Sequence, residues 1–286
     1  VFDRLARSWS LIKASASVVR SNKTLLLFPV VSGIATTIIL VTFLLPLARD
    51  LDLERSSSPG QTMQYIWLGL LYVVLYFVTI FFNTALVSVA LLRLTGSPAG
   101  FRDGFARAVT RLPAILGYAL LAASVGLLLR GIEERAGWIG RFTAGLIGVT
   151  WTVASFLVVP SLAARDIGPI EALRHSATLL KRTWGENIAG NAGISFVFTL
   201  IYVAIVFGMI GLLAATANVS IEAAIGIVTI GVVLLLAAIV LHSTLQGVYA
   251  AALYCYATLG EAATGFSADA LDAAFRARTP PREMSR

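Results

Sequence analysis

Long runs without a single Asp, Glu, Lys or Arg set the rhythm of this chain. Thr24–Ala48, Gln61–Leu92, Leu112–Leu129 and Ile188–Ile221 are all uncharged. A helix needs about 20 apolar residues to cross a bilayer core, and in lipid the backbone polar groups are satisfied only within helices or closed barrels. The pattern predicts six spans, at about 25–48, 66–92, 112–130, 138–164, 188–216 and 223–258. The expected fold class is all-α, a polytopic membrane helical bundle. The last span is longer than a bilayer requires, so it is expected to tilt or to project into the cytoplasm. The first run exceeds the roughly 7–15 residues of a signal-peptide core and is read as a retained span.

Between the spans the periodicity changes. In "GPIEALRHSATLLKRTWGEN", residues 168–187, Ile170, Leu173, Ala177, Leu180 and Trp184 recur at three- and four-residue steps. That spacing predicts one apolar helical face. Glu171, Arg174, His175, Thr178, Lys181 and Arg182 fall on the other. Pro169 suits the first helical position and Glu171 the first turn. Phe2, Leu5, Trp9, Ile12, Ala16 and Val19 repeat the arrangement before span one, and Phe101, Phe105, Ala108 and Leu112 before span three. Each is backed by arginines or lysine, as in helices that lie in a membrane interface. "SWSLIK" at 8–13 also matches "SATLLK" at 176–181 in form. These echoes predict one transmembrane domain, 1–260, built of three units at about 1–93, 94–165 and 166–260, each an interfacial helix followed by a hairpin. A short cytoplasmic tail, 261–286, would follow, with Ser267 as N-cap and Phe266 packing onto Leu271.

Charge then gives an orientation. Only 13% of residues are charged, against roughly 25% in soluble domains, and the net charge is +7. With the N-terminus inside, 17 of the 22 lysines and arginines fall on the inner side, which predicts cytoplasmic termini. Tyr65, Trp67 and Trp138 fall at the outer boundary, and Trp9, Trp184, Tyr254 and Tyr256 at the inner one. The basic residues are expected to meet lipid headgroups through Arg7, Lys13, Arg107, Arg111, Arg174, Lys181 and Arg182. No basic block of the kind that binds nucleic acid occurs. Pro113 opens span three without penalty, whereas Pro160 is expected to kink span four.

Candidate chemistry is sparse. Cys255 is the single cysteine, which excludes an internal disulfide and a cysteine metal cluster. His175 and His242 are the only histidines, and neither has a metal-ligand spacing. His175 is read as a solvated member of the polar helix face. The spans lack a carboxylate pair, so the chain is expected to be no enzyme and to need no metal or cofactor.

Uncharged polar residues are more informative. Tyr72, Tyr76, Thr79 and Asn83 form one helical stripe on span two; Asn191, Ser195, Thr199 and Tyr202 form another on span five; His242, Gln246 and Tyr249 form a third on span six. Such groups should face protein or water rather than lipid. Two readings stay open. One is a set of interhelical hydrogen bonds, with His242 neutral and bonded to Asn83 or Ser243. The other is a polar cavity opening to the cytoplasm for a neutral or amphiphilic solute, lined by Tyr76, Thr79, Asn83, Asn191, Ser195, Thr199, His242, Gln246 and Tyr249. Glycines in spans four, five and six (137, 140, 145, 148, 208, 211, 226, 231) permit close helix contact.

"RSWSLIKASASVVRSNKTLLLFPVVSG", "IFFNTALVSVAL", "GLLLRGIEERAGW" and "GPIEALRHSATLLKRTWGENIAGNAGI" resemble a widespread family of bacterial membrane proteins known as a domain of unknown function. More loosely, Glu-Ala-Leu-Arg-x-Ser before a span is similar to the membrane domain attached to some glycerophosphodiester phosphodiesterases. The first resemblance implies a bacterial inner membrane; neither implies catalytic residues. Two functions stay open: transport or a pore for a small or lipid-like solute, and a scaffold or accessory subunit holding anionic lipid or a partner protein. Membrane lipids are the expected partners, with a second copy of the chain or a membrane-complex subunit beside them, and nucleic acid is not.

Overall fold

The computed structural model describes residues 13–49, 60–135, 137–182, 187–215 and 221–259. Arg7, Trp9, Trp184 and the expected tail helix at Ser267 lie outside these residues. The described residues are almost wholly helical, with no strand among them. Helix α1 covers residues 13–21, and a 3-10 turn, Lys23–Leu26, follows. Then come α2 (Leu27–Arg49), α3 (Gly60–Leu94), α4 (Phe101–Thr110), α5 (Leu112–Arg135), α6 (Gly137–Ser155), α7 (Val158–Ala164), α8 (Pro169–Arg182), α9 (Asn187–Ala215) and α10 (Ile221–Leu259). Six segments are long and apolar enough to cross a membrane: Lys23–Pro46, Met63–Leu94, Leu112–Glu134, Gly140–Ala164, Ile194–Ala215 and Ile221–Thr258. The protein is an all-α, multi-pass membrane protein.

The chain divides into two compact units, Leu27–Arg182 and the paired segments Val1–Leu26 with Thr183–Arg286. Within the first, α3 is central and packs against α2, α4, α5 and α7. Its buried face is made largely of small and medium side chains, Ala85, Leu86, Val87, Val89 and Ala90, with Thr84 and Ser88 bonded to carbonyls four residues back. Small residues carry contacts in lipid, where apolar bulk gains nothing by turning inward. Gly126 shows the consequence: a Cβ there would lie 2.5 Å from the Tyr72 hydroxyl of α3. At the other end of α2 and α3, the Trp67 indole N–H donates to the Phe43 carbonyl at 3.0 Å and the two rings pack. Trp138 stays 79% exposed at the start of α6.

Span four is not one helix. It is interrupted at Phe156–Leu157, between α6 and α7. Pro160 supplies the cause, because proline offers no N–H to the carbonyl four residues back, here Phe156, and its ring crowds that carbonyl. The expected kink is therefore a break, one helical turn before the proline.

In the second unit α9 and α10 run antiparallel and pack along their length, and α10 also meets the 3-10 turn Lys23–Leu26. The C-terminal part of α10, from Val248 to Cys255, is buried on every face. That part includes Tyr254, which is thus not an exposed interface anchor. Among the glycines named above, Gly231 closes on Met209, whereas a Cβ added at Gly145, Gly208, Gly211 or Gly226 would meet open space.

Candidate functional site

Within the unit Leu27–Arg182, the two amphipathic helices α4 and α8 sit at the end where α3 and α7 finish and α5 begins. Helix α4 is held down by close approach. A Cβ on Gly104 would stand 2.5 Å from the Ala85 carbonyl oxygen, 2.6 Å from Val89 and 2.9 Å from Phe28. Phe101 stacks on Phe28 with centroids 4.7 Å apart, and Phe105 meets Phe81 edge to face at 5.3 Å. The Gly100 N–H donates to the Asp103 carboxylate at 2.7 Å, which caps the helix start and places a negative charge in its first turn. The Arg93 side chain donates to the Ala99 carbonyl at 2.9 Å and closes the α3–α4 connection.

Helix α8 is tied to α4 and α5 at its beginning and to span four along its length. Arg111, between α4 and α5, forms an ion pair with Asp166, just ahead of α8. The arginine side chain is only 18% exposed, the aspartate 93%. Gly117 of α5 lets Pro169 close in, for a Cβ there would lie 2.9 Å from the proline ring. Farther along, the Ser176 hydroxyl accepts the Leu157 N–H at 3.0 Å and donates to the Ala154 carbonyl at 2.6 Å. Those are two backbone groups that the break in span four leaves without their helical partners. Backbone broken at membrane depth is tolerated only where protein satisfies it, and here a surface helix does so. Ser161 donates to the Leu157 carbonyl at 2.7 Å and also contacts His175 Nδ1 at 3.1 Å.

The side of α8 turned to the protein is Ala172, Ser176, Leu179 and Leu180, while Ile170, on the apolar face expected to meet the membrane, is 59% exposed. His175, read as solvated, is half-buried against Ser161. Burial lowers its pKa from the ordinary 6.5, the Arg165 charge lowers it further, and Glu171 opposes both. On α1, Ser15, Val18 and Val19 are buried, again with a serine inside the face, and Asn22 just beyond the helix is buried too. Ser176, Asp166 and Gly104 escaped the sequence reading. The one signal for Gly104 was a glycine inside a short helix, where it costs about 1 kcal/mol against alanine unless packing demands it.

Of the expected headgroup residues, Arg174 and Lys13 are exposed, Arg107 is half-buried and Arg111 is spent on Asp166. The Lys181 and Arg182 side chains, like Arg7, lie outside the description. Arg102 joins the exposed set, beside the exposed apolar Phe105 and Val109.

The polar stripes pair within their own units. Between α9 and α10, the Gln246 amide N–H donates to Ser195 Oγ at 3.1 Å, and Tyr202 OH lies 3.0 Å from His242 Nδ1. The imidazole stacks on Phe198, centroids 4.5 Å apart. Within this unit the partner of His242 is thus Tyr202 rather than Ser243. Thr199 is exposed and bonded to the Ser195 carbonyl, Tyr249 is fully buried, and the Asn191 side chain lies outside the description. On α3, Tyr72 donates to Tyr76 at 3.3 Å, Thr79 bonds back to Leu75 and Asn83 is half-buried.

No curated protein and no solved structure matches the chain, and nothing found supports the looser likeness to the glycerophosphodiester phosphodiesterase membrane domain. The model of a family of unknown function, DUF6159, matches residues 62–266, from the start of α3 past the end of α10. This multi-pass membrane protein therefore belongs to the DUF6159 family.

Proposed function

We propose that the protein is a non-enzymatic scaffold of the bacterial inner membrane whose helices α4 and α8 present a basic, partly apolar surface to anionic lipid headgroups. One observation carries this reading. Both helices are fastened to the spans from beneath, by Gly104 on Ala85 and by Ser176 on Leu157, which leaves Arg102 and Arg174 pointing away beside exposed Phe105, Val109 and Ile170. Interfacial helices combine these two features, apolar groups reaching the acyl boundary and cations meeting phosphate. Each basic residue near an anionic surface contributes about 1 kcal/mol.

The distribution of charge supports a cytoplasmic location for this surface. Connections 93–111 and 165–182 hold eight basic residues (93, 102, 107, 111, 165, 174, 181, 182) against Asp103, Asp166 and Glu171. Connections 49–55 and 130–141 are balanced, five basic against five acidic. Positive residues are retained on the cytoplasmic side, so both termini are cytoplasmic in this reading. Transport would need the stripes on α9 and α10 to line water. Their bonds to each other favour the scaffold.

The test is lipid composition. Membranes are dissolved with styrene–maleic acid polymer and the lipids retained by the purified protein are weighed against the bulk. About threefold or greater enrichment of phosphatidylglycerol is expected from a few basic contacts. It should fall to the bulk value in the triple variant Arg102→Gln, Arg107→Gln, Arg174→Gln. Identical retained lipid in both proteins would overturn the proposal.

A further inference from the structure

The bonds that hold α8 do more than hold it. Ser176, on the surface helix, completes the backbone of a transmembrane helix nineteen residues upstream. Its hydroxyl fills one donor and one acceptor at once, Leu157 N–H at 3.0 Å and Ala154 C=O at 2.6 Å. Both Ser176 and Leu157 are fully buried, so water does not substitute for either partner while α8 is seated. Ser161 continues the chain of bonds on the far side of the break and reaches back to α8 through His175. Pro160 ensures that span four cannot close the gap by itself. On the near side of the break, the Ser155 hydroxyl bonds back to the Thr152 carbonyl at 3.3 Å, within the last turn of α6.

We infer that α8 acts as a latch on span four: seating of α8 keeps the Phe156–Leu157 break closed, and displacement of α8 opens it. This rests on the headgroup reading, since anionic lipid is what would press α8 into its seat. The argument is one of linkage. A ligand that prefers the seated position of α8 stabilises every bond that exists only in that position. The Leu157 amide is such a bond. Its partner is a side chain on α8, whereas the amides of an uninterrupted helix depend on their own helix alone. The charge that would receive the lipid, Arg174, is two residues from Ser176 on the same helix. A shift of α8 by a fraction of its pitch would therefore separate Ser176 from both backbone groups together.

Hydrogen exchange reads this directly. The full-length protein is placed in nanodiscs of phosphatidylcholine alone or with phosphatidylglycerol, and exchange is followed by mass spectrometry in peptides covering 154–158 and 170–180. Phosphatidylglycerol should slow exchange in both peptides, by about tenfold at 154–158 where opening depends on the latch. In Ser176→Ala, residues 170–180 should still respond to the lipid while 154–158 exchange fast in either lipid. Ser176→Thr keeps the hydroxyl and should restore the lipid response at 154–158. A response at 170–180 with none at 154–158 in the wild-type protein overturns the latch alone. Silence at 170–180 overturns the headgroup reading, and the latch falls with it. A Ser176→Ala protein whose 154–158 segment still follows the lipid also overturns the latch.

Discussion

Gly104 lies against Ala85 so closely that a methyl group on it would stand 2.5 Å from the alanine's carbonyl oxygen. A backbone carbonyl in the middle of a packed helix cannot turn aside, so α4 is seated on α3 only because residue 104 has no side chain. Gly104→Ala is expected to lift α4 and to cost about 1–3 kcal/mol, as overpacking does. Gly145→Ala, where nothing lies within 4 Å, should be neutral or slightly stabilising. Thermal unfolding of the two variants in the same detergent checks the contrast.

The break in span four gives a second prediction, of coupling rather than of loss. Ser176→Ala strands a buried N–H and a carbonyl and should destabilise the protein by about 1–3 kcal/mol. Pro160→Ala returns an N–H to residue 160, which lets the Phe156 carbonyl find a helical partner. In that background Ser176→Ala should cost less, with an interaction term on the order of 1 kcal/mol. Simple additivity in the double-mutant cycle would mean that the two residues do not serve the same gap.

Acidification should loosen α8. His175 has a pKa below its ordinary 6.5, through burial first and then the Arg165 charge. The unfolded chain therefore binds the proton more readily than the folded one. The contribution of neutral His175 is fully present above about pH 6.5 and is lost as pH falls below it. Unfolding midpoints at pH 7.5 and 5.5 should differ more in the wild-type protein than in His175→Gln. Equal differences would place the pH sensitivity elsewhere.

Between α9 and α10, the Gln246–Ser195 bond joins two helices inside the apolar zone. Interhelical bonds of this kind contribute about 0.6–2 kcal/mol. Ser195→Ala and Gln246→Leu should each destabilise α9–α10 packing, and their double-mutant cycle should return a coupling within that range. A coupling of zero would show that the two side chains do not meet in the bilayer.

Much of the fold was legible because the bilayer imposes a simple rule. Uncharged windows of sufficient length located all six spans, and Pro160 pointed to the irregularity in the fourth. Helix faces were harder to read, for a physical reason. In lipid, apolar residues such as Leu128, Phe207 and Ile230 gain nothing by facing protein and stay outward, while others, such as Leu86, Ile115 and Leu157, are buried beside many alanines. Apolar periodicity therefore does not separate the lipid side from the packed side. Surface helix α8 shows the same rule: Ile170, on the apolar face directed at the membrane, is exposed, and Ser176, counted on neither face, is buried. The Tyr202–His242 partnership depended on the relative register of two long helices, which two separate stripes do not fix.

The central claim is that anionic headgroups gather at α8. Its most direct test places a bimane fluorophore at Thr178→Cys, an exposed position on α8, after Cys255→Ala removes the native thiol. Quenching is then compared for phosphatidylglycerol and phosphatidylcholine, each carrying the same headgroup-proximal spin label at equal mole fraction. The account predicts stronger quenching by phosphatidylglycerol, reduced by high salt and abolished by Arg107→Gln with Arg174→Gln. Equal quenching by the two lipids in the wild-type background would contradict it.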